Sequence, residues 1–131
     1  MLITCLQVLT LSKKKRSEIM KQNVFLVVST DVMGKEEEIG KIVIKNFFET
    51  IKATKGIPHT IFFLNAGVKL TTVNKEMISI LKEIESMGAE IYSCGTCLKY
   101  YNLETKLMVG HRGASTQVVE AFDEFKKVIW V

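Results

Sequence analysis

Residues 24–31 read VFLVVSTD, five consecutive apolar residues followed by three small polar ones. A short apolar run rich in β-branched residues is typical of a strand buried on both faces of a parallel sheet. Residues 60–64 (TIFFL) repeat this pattern, and residues 89–93 (AEIYS) form a shorter third example. The chain therefore predicts three buried strands, each followed at once by small or polar residues.

Helical periodicity fills the intervals between these strands. A helix is predicted from about Lys35 to Thr54, with Gly56 and Pro58 ending it. Its apolar stripe recurs every four residues and is widened by two neighbours, giving Ile39, Ile42, Val43, Phe47, Phe48 and Ile51. A second helix begins after Asn74, a suitable N-cap, and its apolar face carries Met77, Ile78, Leu81 and Ile84.

The last third of the chain contains shorter elements. Short helices are predicted over 98–101 and 103–108, followed by a loop over 110–113. A last helix is predicted over 115–125 and a closing strand over 127–131. Such alternation predicts right-handed βαβ crossovers and an α/β fold with a parallel sheet covered on both faces.

The carboxyl ends of the strands in such a sheet form the functional cleft. This rule places three polar segments along one edge: 29–31 (STD), 65–67 (NAG) and 94–97 (CGTC). We therefore expect Asp31, Asn65 and Gly67 to line a cleft beside the cysteine pair. Asp31 is equally well explained as a turn former, and Asn65 and Gly67 as ordinary turn residues.

Charge is distributed unevenly along the chain. Residues 1–22 hold five Lys or Arg and one Glu, whereas residues 23–131 hold thirteen basic and thirteen acidic side chains. A nucleic-acid-binding domain usually carries its positive excess on a folded face, so nucleic acid is not an expected partner. Residues 1–22 are interpreted as an N-terminal extension or linker and residues 23–131 as the functional domain.

No membrane association is expected. The run LITCLQVLTL at 2–11 is too short to cross a bilayer, and its positive charges follow it, the reverse of a signal peptide. Three cysteines do not form a disulfide framework, which favours a reducing, cytoplasmic location.

Cys94-Gly95-Thr96-Cys97 carries the strongest chemical signal. At a strand-to-helix junction, the free N–H groups of the next helix would favour a thiolate on Cys94. Cys97 would then resolve a persulfide or mixed disulfide, and Gly95 would leave the approach open. Two incidental cysteines are the plainer explanation. A zinc site would need a second pair of ligands, which the sequence lacks, so no metal is expected. A thioredoxin-like site would need a proline in a place where this sequence has none.

Other candidates are weaker. Lys69 is interpreted as a solvated loop lysine and Tyr100-Tyr101 as packing residues. The segment 111–113 (HRG) precedes the last helix and would suit an anion there, although a surface loop is the simpler interpretation. Gly34 precedes three glutamates and belongs to no phosphate-binding loop, so no cofactor is expected.

Three segments together resemble the DsrE/DsrF-like sulfur-relay family, most closely the C-terminal domain of YedF-type selenium-metabolism proteins. They are 31–34 (DVMG), 63–70 (FLNAGVKL) and 92–98 (YSCGTCL), and the resemblance covers about residues 23–131. It implies a flavodoxin-like three-layer α/β/α fold with a mainly parallel sheet of four to five strands. It also implies that Cys94 carries sulfur as a persulfide and that the chain forms homo-oligomers.

The resemblance also suggests what this chain would work with. YedF-type proteins normally begin with a TusA-like domain containing Cys-Pro-x-Pro, and residues 1–22 contain no proline and are too short for it. We therefore expect a separate sulfur-donor or acceptor protein, such as a TusA-like carrier. The function predicted is a sulfur or selenium carrier with Cys94 and Cys97 at its centre and Asp31, Asn65, Gly67, Gly95 and Thr96 around them. The alternative is a non-catalytic ligand-binding or assembly module with the same fold.

Overall fold

The structure, a computed structural model, describes residues 23–131. Its five strands are β1 (Val24–Val28), β2 (Thr60–Phe63), β3 (Glu90–Cys94), β4 (His111–Gly113) and β5 (Lys127–Trp130). Its helices are α1 (Glu38–Thr54), a 3₁₀ helix (Asn65–Thr71), α2 (Lys75–Ser86), α3 (Gly95–Tyr100) and α4 (Ser115–Glu124). The N-terminal extension predicted over 1–22 lies outside the described residues.

The strands form one sheet in the order β4-β3-β2-β1-β5, and every neighbouring pair is parallel. Two apolar cores lie on its two faces. The larger packs the inward residues of α1, α2 and α3 against Leu26, Ile61 and Ile91. The smaller packs α4, through Val118 and Ala121, against the other face. The predicted α/β fold with a mainly parallel, two-sided sheet is thereby confirmed.

The first helix differs from its prediction in both start and orientation. It begins at Glu38 instead of Lys35, because residues 33–37 fold back and the Met33 N–H donates to the Gly40 carbonyl. Gly40, Ile44 and Phe48 are its buried residues. The predicted stripe was largely wrong, since Ile39, Ile42 and Val43 are exposed and only Phe48 of the six residues is buried. A Cβ at position 40 would lie 1.9 Å from the Lys35 carbonyl oxygen, so only glycine allows this close approach.

The second helix matches its prediction. Asn74 caps it by accepting a hydrogen bond from the Met77 N–H at 3.1 Å, and all four predicted apolar residues are buried. Two predictions for the following segment were wrong. Residues 103–108 are irregular apart from a turn at 104–105 and form no helix, and the predicted loop at 110–113 contains the edge strand β4. Three residues are too few to show a strand period, which is why the sequence pattern missed β4.

No helix in the described part of the chain is both long enough and apolar enough to cross a membrane.

Candidate functional site

The register of the sheet aligns the carboxyl ends of its central strands. Val28 pairs with Phe63, Phe63 pairs with Ser93, and Ser93 in turn pairs with Arg112 of β4. The segments that follow these strands consequently begin at one edge of the sheet. This edge holds the two cysteines.

The cysteines occupy a strand end and the first turn of a helix. Cys94 is the last residue of β3 and immediately precedes α3, and its side chain belongs to the smaller core. Cys97 lies within α3 and contacts both cores while remaining partly exposed. Both are free thiols, and Cys94 is the more buried, with 9% of its surface exposed.

Asn65 holds the sulfur of Cys97. Its backbone N–H donates to Cys97 Sγ at 3.0 Å, and the Cys97 S–H donates weakly to Asn65 Oδ1 at 3.9 Å. Asn65 has a φ of 50°, in the left-handed region that asparagine tolerates better than most residues. The residue after β2 therefore adopts an uncommon backbone conformation at the point where it contacts a thiol.

Burial raises the pKa of the Cys97 thiol above its ordinary value. The Asn65 N–H opposes this shift by stabilising the thiolate, and the neighbouring Cys94 thiol adds to it. The net direction is upward, so at neutral pH Cys97 is present mainly as the protonated thiol. That state matches its double role as acceptor from the Asn65 N–H and donor to the Asn65 side chain.

Alkylation of Cys97 is expected to be slow at pH 7 and to rise with a midpoint above the ordinary thiol value of about 8.5. The thiolate is the reacting form, and burial keeps it scarce until the solution is alkaline. Peptide mass spectrometry after timed exposure of the full chain to iodoacetamide measures this site by site. A midpoint below pH 8 would contradict the expected shift.

The 3₁₀ helix is anchored firmly behind the cysteines. A Cβ added to Gly67 would lie 2.4 Å from the Val28 carbonyl oxygen, so this helix packs directly on the end of β1. The Thr71 hydroxyl donates to the Val68 carbonyl and lies 2.7 Å from the Ser93 hydroxyl, which therefore donates to it. These contacts connect β1, the 3₁₀ helix and β3 next to Cys94.

Arg112 reaches the same edge from β4. A Cβ built on Gly95 would lie 2.4 Å from Arg112 Nε and 2.9 Å from Nη2. Arg112 Nη1 donates to Glu104 Oε2 at 2.8 Å. For 111–113 the sequence favours a surface loop, with anion binding as the less favoured alternative. Only the register with β3 shows that Arg112 lies beside Gly95, the residue that follows Cys94.

Thr96 and Asp31 are the remaining predicted site residues. Thr96 is exposed on α3, and Asp31 is partly buried in the loop after β1. Among residues 23–131, no hydrogen bond joins Asp31 to either cysteine. Lys69 lies 4.7 Å from the centre of the Tyr101 ring, so it makes a cation–π contact instead of being freely solvated. Within the same residues, no cluster of three or more His, Cys, Asp or Glu is placed to hold a metal ion.

The fold and this edge define a class: a small parallel α/β domain with a cysteine pair at the carboxyl ends of its strands. The sequence model of the DsrE/DsrF-like family matches residues 22–131. The chain belongs to the DsrE/DsrF-like family, as the sequence resemblance predicted. The closer likeness to YedF-type proteins stays a prediction.

Solved structures of other proteins share the fold. The ychN protein from E. coli is 12% identical, with a TM-score of 0.64 over 84% of this chain and 99% of its own. A conserved protein of unknown function from Bacteroides thetaiotaomicron, BT1422, is 16% identical, with a TM-score of 0.59 over 83% of this chain and 95% of its own. No curated protein sequence matches the chain. At these identities the likeness concerns the fold alone.

Proposed function

We propose that this protein carries sulfane sulfur as a persulfide on Cys94 and that Cys97 helps to release it. The observation that carries the proposal is the position of two free thiols three residues apart at the carboxyl edge of the sheet, with Asn65 bonded to one of them. Membership of a family associated with sulfur relay supports it. Selenium, which reacts similarly, is the second cargo that we propose.

Loading requires no external oxidant. The Cys94 thiolate attacks the outer sulfur of a donor R–S–SH, forming a new S–S bond as the donor's S–S bond breaks. The donor leaves as R–S⁻ with the electron pair of the broken bond, and Cys94 becomes Cys94–S–SH. The sulfur keeps its oxidation state throughout, so the reaction is a transfer between thiols.

Release by Cys97 follows the same chemistry. A Cys97 thiolate attacks the inner sulfur of the Cys94 persulfide, which forms a Cys94–Cys97 disulfide and expels HS⁻. A dithiol reductant then supplies two electrons and two protons to restore both thiols. Because the pKa of Cys97 is raised, this release is slow at neutral pH, and the persulfide survives long enough to meet an acceptor.

The surroundings of the pair have supporting roles in this proposal. Asn65 and Gly67 support the edge from the 3₁₀ helix, Gly95 and Thr96 are the first residues of α3 between the cysteines, and Asp31 lines the cleft from the β1 side. A separate protein, such as a TusA-like carrier, would deliver or accept the sulfur. Two free thiols suit a reducing, cytoplasmic location.

Self-association is part of the same proposal. Phe122 on α4 and Trp130 on β5 are large apolar side chains that are each more than half exposed. We propose that copies of the chain cover such residues in a homo-oligomer. Sedimentation of the full chain at the monomer mass across micromolar concentrations would exclude this.

The proposal is tested by loading the full, reduced chain. After incubation with a low-molecular-weight persulfide and removal of the donor, intact mass spectrometry is expected to show one added sulfur atom that a dithiol reductant removes. No added sulfur would overturn the proposal. That outcome would favour the alternative, a non-catalytic ligand-binding or assembly module, which the exposed apolar residues also suit.

A further inference from the structure

The sheet register brings Arg112 next to the residue that follows Cys94. Arg112 pairs with Ser93 across β3 and β4, and its guanidinium group lies against Gly95, the residue between Cys94 and Thr96. Any larger residue at position 95 would displace this group, since a Cβ there would lie only 2.4 Å from Nε. The turn after Cys94 therefore carries a cation supplied by a different strand.

This cation is oriented but not fully paired. Glu104 accepts only from Nη1, and within residues 23–131 Nε and Nη2 donate to no acceptor. The Arg112 side chain is 58% exposed, so solvent and solutes reach it. A guanidinium group with two nitrogens available is suited to a planar carboxylate or a similar oxyanion.

We propose that Arg112 recognises an anionic group, a carboxylate or comparable oxyanion, on a small thiol-based sulfur donor that reacts at Cys94. This proposal rests on the proposed function and specifies its substrate class. A small donor is favoured because Cys94 is 9% exposed, which limits access to compact molecules, and the separate partner protein would then be the acceptor. Arg112 acts here as a binding residue whose contact orients the donor toward the thiol, while the sulfur transfer itself is the thiol exchange described above.

Two alkylating reagents test this recognition without any sulfur. Iodoacetate and iodoacetamide have the same leaving group and similar size, and only iodoacetate is an anion. The ratio of their rate constants at Cys94, followed by peptide mass spectrometry on the full chain, cancels the reactivity and accessibility of the thiol. An exposed charge pair supplies a preference of about threefold, so the Arg112→Gln variant is expected to lower this ratio by about that factor.

Matched variants make the result specific. Glu104→Gln keeps a side-chain oxygen near Arg112 Nη1 while removing the competing negative charge, so the ratio is expected to rise. Lys45→Gln breaks another exposed ion pair, Lys45–Glu76 at 2.7 Å between α1 and α2, and is expected to leave the ratio unchanged. High salt is expected to shrink the Arg112 effect. An unchanged ratio in Arg112→Gln, or an equal fall in Lys45→Gln, would overturn the proposal.

Sulfur loading then separates this proposal from the function on which it rests. The persulfides of N-acetylcysteine and N-acetylcysteinamide differ only in a carboxylate against an amide. Wild type is expected to load faster with the carboxylate donor, and Arg112→Gln is expected to lose that preference while still loading. If the protein loads sulfur and Arg112→Gln keeps the preference of the wild type, only the proposed anion site is contradicted. If the alkylation ratio depends on Arg112 but neither donor loads sulfur, the sulfur-carrier function is contradicted instead.

Discussion

Replacing Cys94 by serine is expected to abolish sulfur uptake, whereas replacing Cys97 is expected to leave uptake intact and to prolong the life of the bound sulfur. Serine cannot form a persulfide, so the intact mass of Cys94→Ser after donor treatment should match that of the untreated variant. In Cys97→Ser no neighbouring thiol attacks the Cys94 persulfide, so internal release as HS⁻ stops. The readout is the fraction of loaded protein against time at pH 7 and pH 9.

The pH dependence makes this prediction sharper. Because the pKa of Cys97 is raised, wild type and Cys97→Ser should lose sulfur at similar rates at pH 7 and diverge as the solution becomes alkaline. Cys5, which lies outside the described residues, provides the control, and Cys5→Ser should load like wild type. Equal loading of Cys94→Ser and wild type would show that sulfur resides elsewhere.

Most of the fold could be predicted from the sequence because its central strands are buried on both faces. The apolar runs that become β1 and β2 leave no polar alternation to interpret, and α2 shows a clean four-residue stripe capped by Asn74. The first helix was harder to orient. Its residues are apolar around much of the circumference, and the buried face was decided by the close approach of Gly40 to the Lys35 carbonyl, a contact invisible in any periodicity.

The candidate site could be predicted only where the strands that position its residues could themselves be predicted. The rule that ligands bind at strand ends brought Asn65 and Cys94 to one edge from the sequence alone. It could not show that the Asn65 N–H would bind Cys97 specifically, because that contact depends on the left-handed backbone at Asn65. Arg112 was interpreted as a surface-loop residue for a related reason, since its place depends on a three-residue edge strand with too little pattern to recognise.

A single methyl group at Gly67 is expected to destabilise the protein by about 2–3 kcal/mol, near the upper range for overpacking a tight interior. The added Cβ would lie 2.4 Å from the Val28 carbonyl oxygen and 3.4 Å from that of Thr30, and backbone atoms cannot rotate away. The same Val28 carbonyl accepts from the Leu64 N–H at 3.0 Å, so displacing one partner weakens the other. The midpoint temperature of thermal unfolding should be about 10 °C lower for Gly67→Ala than for the wild type.

Gly56 is the matched control for this substitution. It lies in the exposed segment after α1, and a Cβ there would find only the Thr54 hydroxyl, at an ordinary 3.5 Å. Gly56→Ala is therefore expected to change stability by less than about 1 kcal/mol, with a small gain from the stiffer unfolded chain.

Gly67→Ala is also expected to affect Cys97. The 3₁₀ helix must move away from β1 and carry the Asn65 N–H with it, so the pH midpoint of Cys97 alkylation should rise as that stabilising contact weakens. Equal unfolding temperatures for the two variants would show that the end of β1 yields to the added methyl group and does not fix the position of the cysteine edge.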